Sequence, residues 1–263
     1  MAKETKYTAN TAMVTISTAN PNLDGSGTLG TLLTGADNGT LVKTITVKAA
    51  GNTSGGMVRV FASNGANNRI IAEIDVRAIT CSATVKAFEQ TVDVDYFVQT
   101  GGILKVSTEI GESFNVIAEG LDFAYYGSVR PESTKYTANT GLATLTTANT
   151  ALDGSGTLGT NIWNVLTAAS NGTVIQSVIV KAQVSTTPGM VRLFLHDGTN
   201  SKLLKEVLVP AIAKSATSNS FFAKIDFEGR DFALKSGWSL RATTHNSESF
   251  NIIAEGLNWE YPA

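Results

Sequence analysis

The chain carries a single cysteine, Cys81, which excludes an intrachain disulfide and any cysteine-based zinc framework. Histidine is almost as scarce. Both histidines, His196 and His245, lie in the second half, so Cys81 has no base near it in sequence and reads as a small strand or turn residue. Charged residues make up only 16% of the chain, with 20 Lys and Arg against 22 Asp and Glu and no long run of either sign. This balance lacks the basic footprint of a nucleic-acid binder. No run of about 18 apolar residues suggests a membrane span. The polar start, Met1-Ala-Lys-Glu-Thr-Lys-Tyr7, has no secretory core, so a soluble chain beginning near Met1 is expected.

What is abundant is Thr, Ser, Asn and Gly, and the chain is written twice. Lys6-Tyr-Thr-Ala-Asn-Thr11 recurs as Lys135-Tyr-Thr-Ala-Asn-Thr140, and Leu23-Asp-Gly-Ser-Gly-Thr-Leu-Gly-Thr31 recurs as Leu152-Asp-Gly-Ser-Gly-Thr-Leu-Gly-Thr160, both offset by 129 residues. Asn38-Gly-Thr40 and Gly56-Met-Val-Arg59 return at Asn171 and Gly189, where the offset has grown to 133. This places an aromatic insertion in the second copy around Ile162, Trp163, Asn164 and Val165. Glu112-Ser-Phe-Asn-Val-Ile-Ala-Glu-Gly-Leu121 returns from Glu248 at offset 136. The copies therefore correspond end to end. The expected division is a first repeat over 1–128, a Gly- and Pro-broken linker over 129–133 and a second repeat over 134–263.

Within each copy the apolar period is two. Thr40–Lys48, Met57–Ala62, Ile70–Val76, Ile103–Ser107 and Phe114–Ala118 alternate β-branched and polar residues as half-buried strands do. Asn64-Gly65 and Asp197-Gly198 mark hairpins. About eight short strands per copy, with turn signals every 8–12 residues, predict an all-β protein: a tandem duplication of an antiparallel β-sandwich, jelly-roll-like, with an immunoglobulin-like topology as the alternative. Short helical turns near Thr31–Thr34 and Asn161–Asn164 are the only other expectation.

Each tempting motif can be checked against its copy. Asp24-Gly-Ser-Gly27 has neither the lysine nor the helix of a phosphate loop. Asn20-x-Asn22-x-Asp24-Gly25 imitates the first half of a calcium loop, but position twelve is Thr31 and the second copy replaces Asn22 with Ala151. A glycine-punctuated turn accounts for both copies. Ser113 and Ser249 would need a base to act as nucleophiles, and His245 and His196 correspond to Glu109 and Ser63 in the first copy. Glu119, Glu255, Glu73 and Glu206 recur without a cluster of sugar-stacking aromatics. They read as strand glutamates that pair with Arg59 or Arg192 or face water. No catalytic residue, cofactor or metal follows from these patterns.

Trp163, Trp238, Trp259 and Tyr261 all belong to the second copy, and Ile162–Val165 is the candidate contact loop, suited to protein or sugar. Ala2–Lys6 is a candidate docking arm.

In its Asn-Gly-Thr, Gly-Met-Val-Arg, Ser-Ala-Thr and Glu-Ser-Phe-Asn-Val/Ile-Ile-Ala-Glu-Gly blocks, the chain resembles β-rich structural proteins of tailed bacteriophages. The resemblance covers both copies and brings no functional residues with it. It implies a non-enzymatic virion component, a capsid decoration, minor capsid or head-fibre protein or a tail-associated one. It further implies assembly in the host cytoplasm, homo-oligomers, and the major capsid protein or other virion proteins as partners. A pair of glycan-binding modules, with a host surface glycan as partner, is the alternative.

Overall fold

The computed structural model describes residues 5–125, 135–215, 217–227 and 232–260. Its described residues fall into two compact units, one made of first-repeat residues and the other of second-repeat residues together with Cys81–Lys86. The expected linker, 129–133, lies outside the described residues, as does Tyr261.

The first repeat has eight strands: β1 (Thr5–Ile16), β2 (Gly30–Thr34), β3 (Thr40–Ala49), β4 (Gly56–Ser63), β5 (Asn68–Val76), β6 (Glu89–Val98), β7 (Ile103–Thr108) and β8 (Phe114–Tyr125). The second has nine: β9 (Lys135–Leu145), β10 (Trp163–Thr167), β11 (Thr173–Ala182), β12 (Gly189–His196), β13 (Ser201–Val209), β14 (Phe222–Asp226), β15 (Phe232–Leu234), β16 (Ser239–Thr244) and β17 (Phe250–Glu260). There is no helix among the described residues. Of the stretches expected to form helical turns, Thr31–Thr34 is β2, while Asn161 closes a hydrogen-bonded turn onto Thr157 O at 3.1 Å and Trp163 and Asn164 begin β10.

Strand order resolves the topology. The first repeat pairs β1-β8-β3-β6 in one sheet and β2-β7-β4-β5 in the other, all antiparallel. The second repeats both orders as β9-β17-β11-β14 and β10-β16-β12-β13, with β15 also on β11. Eight strands crossing between two sheets in this way make a jelly roll, not an immunoglobulin sandwich. The alternating residues that predicted strands form the core: Ile45 and Val47, Val58 and Val60, Leu104 and Val106, Val116 and Ala118 are all inaccessible to solvent. Phe114 and Phe250, from the recurring Glu-Ser-Phe-Asn blocks, occupy the same place in the two cores.

Register locates the two insertions. Gly30 pairs with Val106, and Trp163 pairs with Ala242, the equivalent of Val106. Trp163 therefore stands where Gly30 does, and the extra residues fall before it, within 157–162. The identity of Thr28-Leu-Gly-Thr31 with Thr157-Leu-Gly-Thr160 hides this. The first stretch runs straight into β2, whereas the second turns back on itself, with Gly159 N donating to Ile162 O at 2.8 Å. The other insertion lies opposite the middle of β3 and β11. Val94 and Asp95 join the pairs Thr44–Asp93 and Val42–Tyr96, with Asp95 at φ 38°. Residues 227–231 join the equivalent pairs Ser177–Asp226 and Ile175–Phe232. One long strand, β6, thus becomes two, β14 and β15.

The same bulge explains the glycine of Ala-Glu-Gly-Leu. A Cβ on Gly120 would lie 2.6 Å from Leu41 O, and one on Gly256 2.6 Å from Val174 O. Neither contact is possible for a larger residue without moving backbone, so both repeats keep glycine where the bulged strand presses on its neighbour.

Candidate functional site

The chemistry-bearing residues singled out in the sequence separate into three groups. The first is the Asp-Gly-Ser-Gly loop. Asn20 is buried, its amide donates to Ser26 O and Thr28 O, both at 2.8 Å, and its Oδ1 accepts from Asn22 N at 3.1 Å. In the second repeat Asn149 donates to Ser155 O (2.8 Å) and Asn161 O (3.2 Å) and accepts from Ala151 N (2.9 Å). Ala151 keeps the backbone N–H bond that Asn22 makes to the clasp and gives up only the exposed bond from the Asn22 amide to Ser26 Oγ at 2.9 Å. Asp24 and Asp153 accept from Ser26 N and Ser155 N, each at 2.9 Å. The neighbouring serine holds both carboxyls below the usual carboxylate range, in Asp24 first through its N–H and in Asp153 first through its hydroxyl. The calcium-like pattern is thus a loop clasp. It folds the loop onto β5 and β13, where Cβ atoms on Gly25 and Gly154, both left-handed, would come within 2.4 Å of Asn68 Cβ and Ser201 Cβ.

The second group is the Glu-Ser-Phe-Asn block. Glu112 receives the hydroxyl and N–H of Ser54 (2.7 and 3.2 Å), and Glu248 receives those of Thr187 (2.6 and 2.7 Å), tying down the loop between β3 and β4 or between β11 and β12. Asn115 and Asn251 accept from Thr15 and Thr144 across the strand pair. The Ser249 hydroxyl donates to Gln183 Oε1 at 2.6 Å and not to His245. No serine–histidine pair is assembled there. Glu255 accepts from the Ser177 hydroxyl at 2.6 Å.

The third group centres on Arg59 and Arg192. Arg59 Nε meets Glu73 at 3.0 Å and its Nη2 meets Glu109 at 3.3 Å, with both carboxylates partly in water. Arg192 Nε meets Glu206 at 3.0 Å, and both partners are almost wholly buried. His245 takes the place of Glu109. Burial pushes its pKa down, Arg192 adds to this, and Glu206 opposes it. His196, buried at the end of β12 with Nδ1 3.2 Å from Ser201 Oγ, is likewise lowered, first by burial and then by Arg241, with Asp197 opposing. The expectation that Glu73 and Glu206 pair with the arginines holds. Glu255 bonds the Ser177 hydroxyl instead.

The expected contact loop is corrected in place and form. Trp163, Asn164 and Val165 are strand β10 rather than loop, and Ile162 (1% exposed) and Val165 (4%) are core residues. Only the half-buried Trp163 and the exposed Asn164 face outward, and the Asn164 amide donates to Thr167 Oγ1 at 2.8 Å. Trp238 lies in the turn before β16, and Trp259 lies in β17 opposite Tyr136. Of the docking arm Ala2–Lys6, residues 2–4 lie outside the described residues. The backbone of Thr5 and Lys6 already pairs with Tyr125 and Ala124 in β1.

One feature has no sequence motif. In the first repeat, the β4–β5 turn, the end of β6 and the β6–β7 turn enclose a cleft of about 480 Å³, with Ser63, Asn67, Arg69, Tyr96, Gln99 and Gly102 in its lining. Its small residues carry no signal until they are set beside the larger ones of the second repeat.

No family model matches the chain, and no curated protein sequence matches it either. Among solved structures it is similar to the STIV MCP (10% identity, 96% of this chain and 97% of that one, TM-score 0.28). It is also similar to the major capsid protein of bacteriophage PM2 (14%, 95% and 98%, TM-score 0.22) and to PNGase F, a glycosylasparaginase from Flavobacterium meningosepticum (12%, 97% and 100%, TM-score 0.25). Likenesses this distant say nothing of activity. The jelly roll rests on the strand order of the chain itself.

Proposed function

We propose that this chain is a non-enzymatic structural protein of a tailed-phage virion, a capsid decoration, minor capsid or head-fibre protein. One jelly roll docks on the particle and the other is displayed. The observation that carries this reading is how the residues common to the repeats are used. Asn20 and Asn149, Glu112 and Glu248, Phe114 and Phe250, and Gly120 and Gly256 clasp loops, fill cores and relieve a bulge. Duplication has preserved a scaffold rather than a reacting group, and one scaffold offered twice can divide docking from display. The bacteriophage resemblance of the same blocks supports the particle as partner.

The docking chemistry is backbone and shape. Each sheet of the first repeat ends in edge strands, β1 and β6 or β2 and β5, whose outer N–H and C=O groups can pair with a strand of a capsid subunit or of a second copy. Mass spectrometry of purified virions is the test. The chain is expected as a particle component, with hundreds of copies for shell decoration and a dozen or fewer for a vertex or tail part. Its absence from virions, together with no binding of the purified chain to emptied particles, would overturn the proposal.

A further inference from the structure

We infer that the cleft of the first repeat is a binding site for a sugar unit carrying a carboxylate. Its volume of about 480 Å³ falls in the range of small-ligand sites. The cleft exists because three lining positions are small. Ala62, Ser63 and Gly102 correspond to Leu195, His196 and Trp238 in the second repeat. The backbone is the same in both. Gly102 N donates to Gln99 O and Gly102 O accepts from Gly35 N, as Trp238 N donates to Lys235 O and Trp238 O accepts from Ala168 N. The same three positions are therefore small in one copy and large in the other. The ring equivalent to Tyr96, Phe232, is buried to 1% exposure and packs against Phe227 at 5.5 Å, whereas Tyr96 is only partly buried.

The lining groups define the ligand. Tyr96 offers a ring to the C–H face of a pyranose, and the aromatic–amide combination is that of polyhydroxylated ligands. Asn64 Oδ1 is used by the turn, accepting from Ala66 N and Asn67 N, which leaves its NH₂ group to donate. The side-chain amides of Asn67 and Gln99 make no hydrogen bond among the described residues. Arg69 is exposed, makes one hydrogen bond, to Asn68 O at 3.3 Å, and has no carboxylate in ion-pair range among the described residues. A free guanidinium fork beside three amides selects a carboxylate over a neutral sugar.

The test is a chemical-shift titration of the full chain with glucuronic acid, galacturonic acid and N-acetylneuraminic acid, against glucose and galactose as neutral probes. Saturable shifts are expected for at least one acid, with a dissociation constant on the order of 1 mM. They should fall on residues 62–69 and 96–103 and spare 195–202 and 232–239. Gly102→Trp and Ser63→His, which import the second repeat's residues, are each expected to abolish the shifts while melting stays unchanged. Arg69→Ala should weaken the acid about tenfold and leave the neutral sugars as they were. Three results would overturn the site: no saturable shift with any probe, shifts that survive both filling substitutions, or neutral sugars bound as tightly as acidic ones. None of these bears on whether the chain is found in virions.

Discussion

The two repeats build the same arginine–glutamate pair in different surroundings. Arg59 stands between Glu73 and Glu109, whose side chains are 46% and 38% exposed, whereas Arg192 and Glu206 are 4% and 2% exposed with His245 beside them. An ion pair that water can reach contributes little and is easily replaced. A pair sealed from water becomes indispensable, because neither charge can be left alone. The sequence is nearly the same at these positions. Burial decides what they are worth.

The largest expected effect breaks that contrast directly. Arg192→Ala should destabilise the second repeat by about 3–5 kcal/mol, because Glu206 then keeps a buried charge without its ion-pair partner. Arg59→Ala should cost the first only about 1 kcal/mol, since Glu73 and Glu109 can turn to water. Chemical denaturation followed by probes in each repeat would show it, and equal losses would refute the reading.

Next in size, Asn20→Ala and Asn149→Ala remove the same clasp and should cost similar amounts, about 2 kcal/mol each, because a buried amide that ties three points of the loop together is lost. Hydrogen exchange should rise in 20–28 for one variant and in 149–161 for the other. A cost in one repeat only would mean that the clasps are not equivalent.

The histidines make the comparison pH-dependent. Unfolded histidine titrates near 6.5, and folded His196 and His245 titrate below that, so the unfolded chain binds the proton more tightly. Their contribution to stability is complete above about pH 6.5 and is lost as pH falls through the folded values. The second repeat should therefore lose melting temperature between pH 7.5 and 5.5 relative to the first. His196→Ser combined with His245→Gln should remove most of that difference in calorimetry.

The smallest effect sharpens the likeness. Asp122 accepts from Asn10 and Thr40, and in the second repeat Asn258 accepts from Asn139 and Thr173 with the same geometry. One oxygen serves both neighbours, so Asp122→Asn should change stability by less than about 0.5 kcal/mol. A larger loss would show that the charge itself matters there.

Much of the fold was legible in the sequence. Period-two alternation found β3, β4, β5, β7 and β8, and Asn64-Gly65 marked the β4–β5 hairpin. The insertion was misplaced because identical residues, Thr28–Thr31 and Thr157–Thr160, continue past the point where the chains part. Trp163 was read as a loop tip for the same reason, although hydrogen bonding to β16 makes it the first residue of a strand. The loop clasp looked like a metal loop because Asn and Asp supply the same oxygens to a cation and to backbone N–H groups. The cleft left no mark because it is made of absent side chains at Ala62, Ser63 and Gly102.

The sequence by itself determined the duplication, the all-β class and most strand positions, since these depend on local alternation and on glycines that no other residue can replace. Strand order, the burial of Arg192 against the exposure of Arg59's partners, and the cleft of the first repeat were decided only by tertiary structure. They depend on which residues far apart in the chain close over one another, and no local period records that.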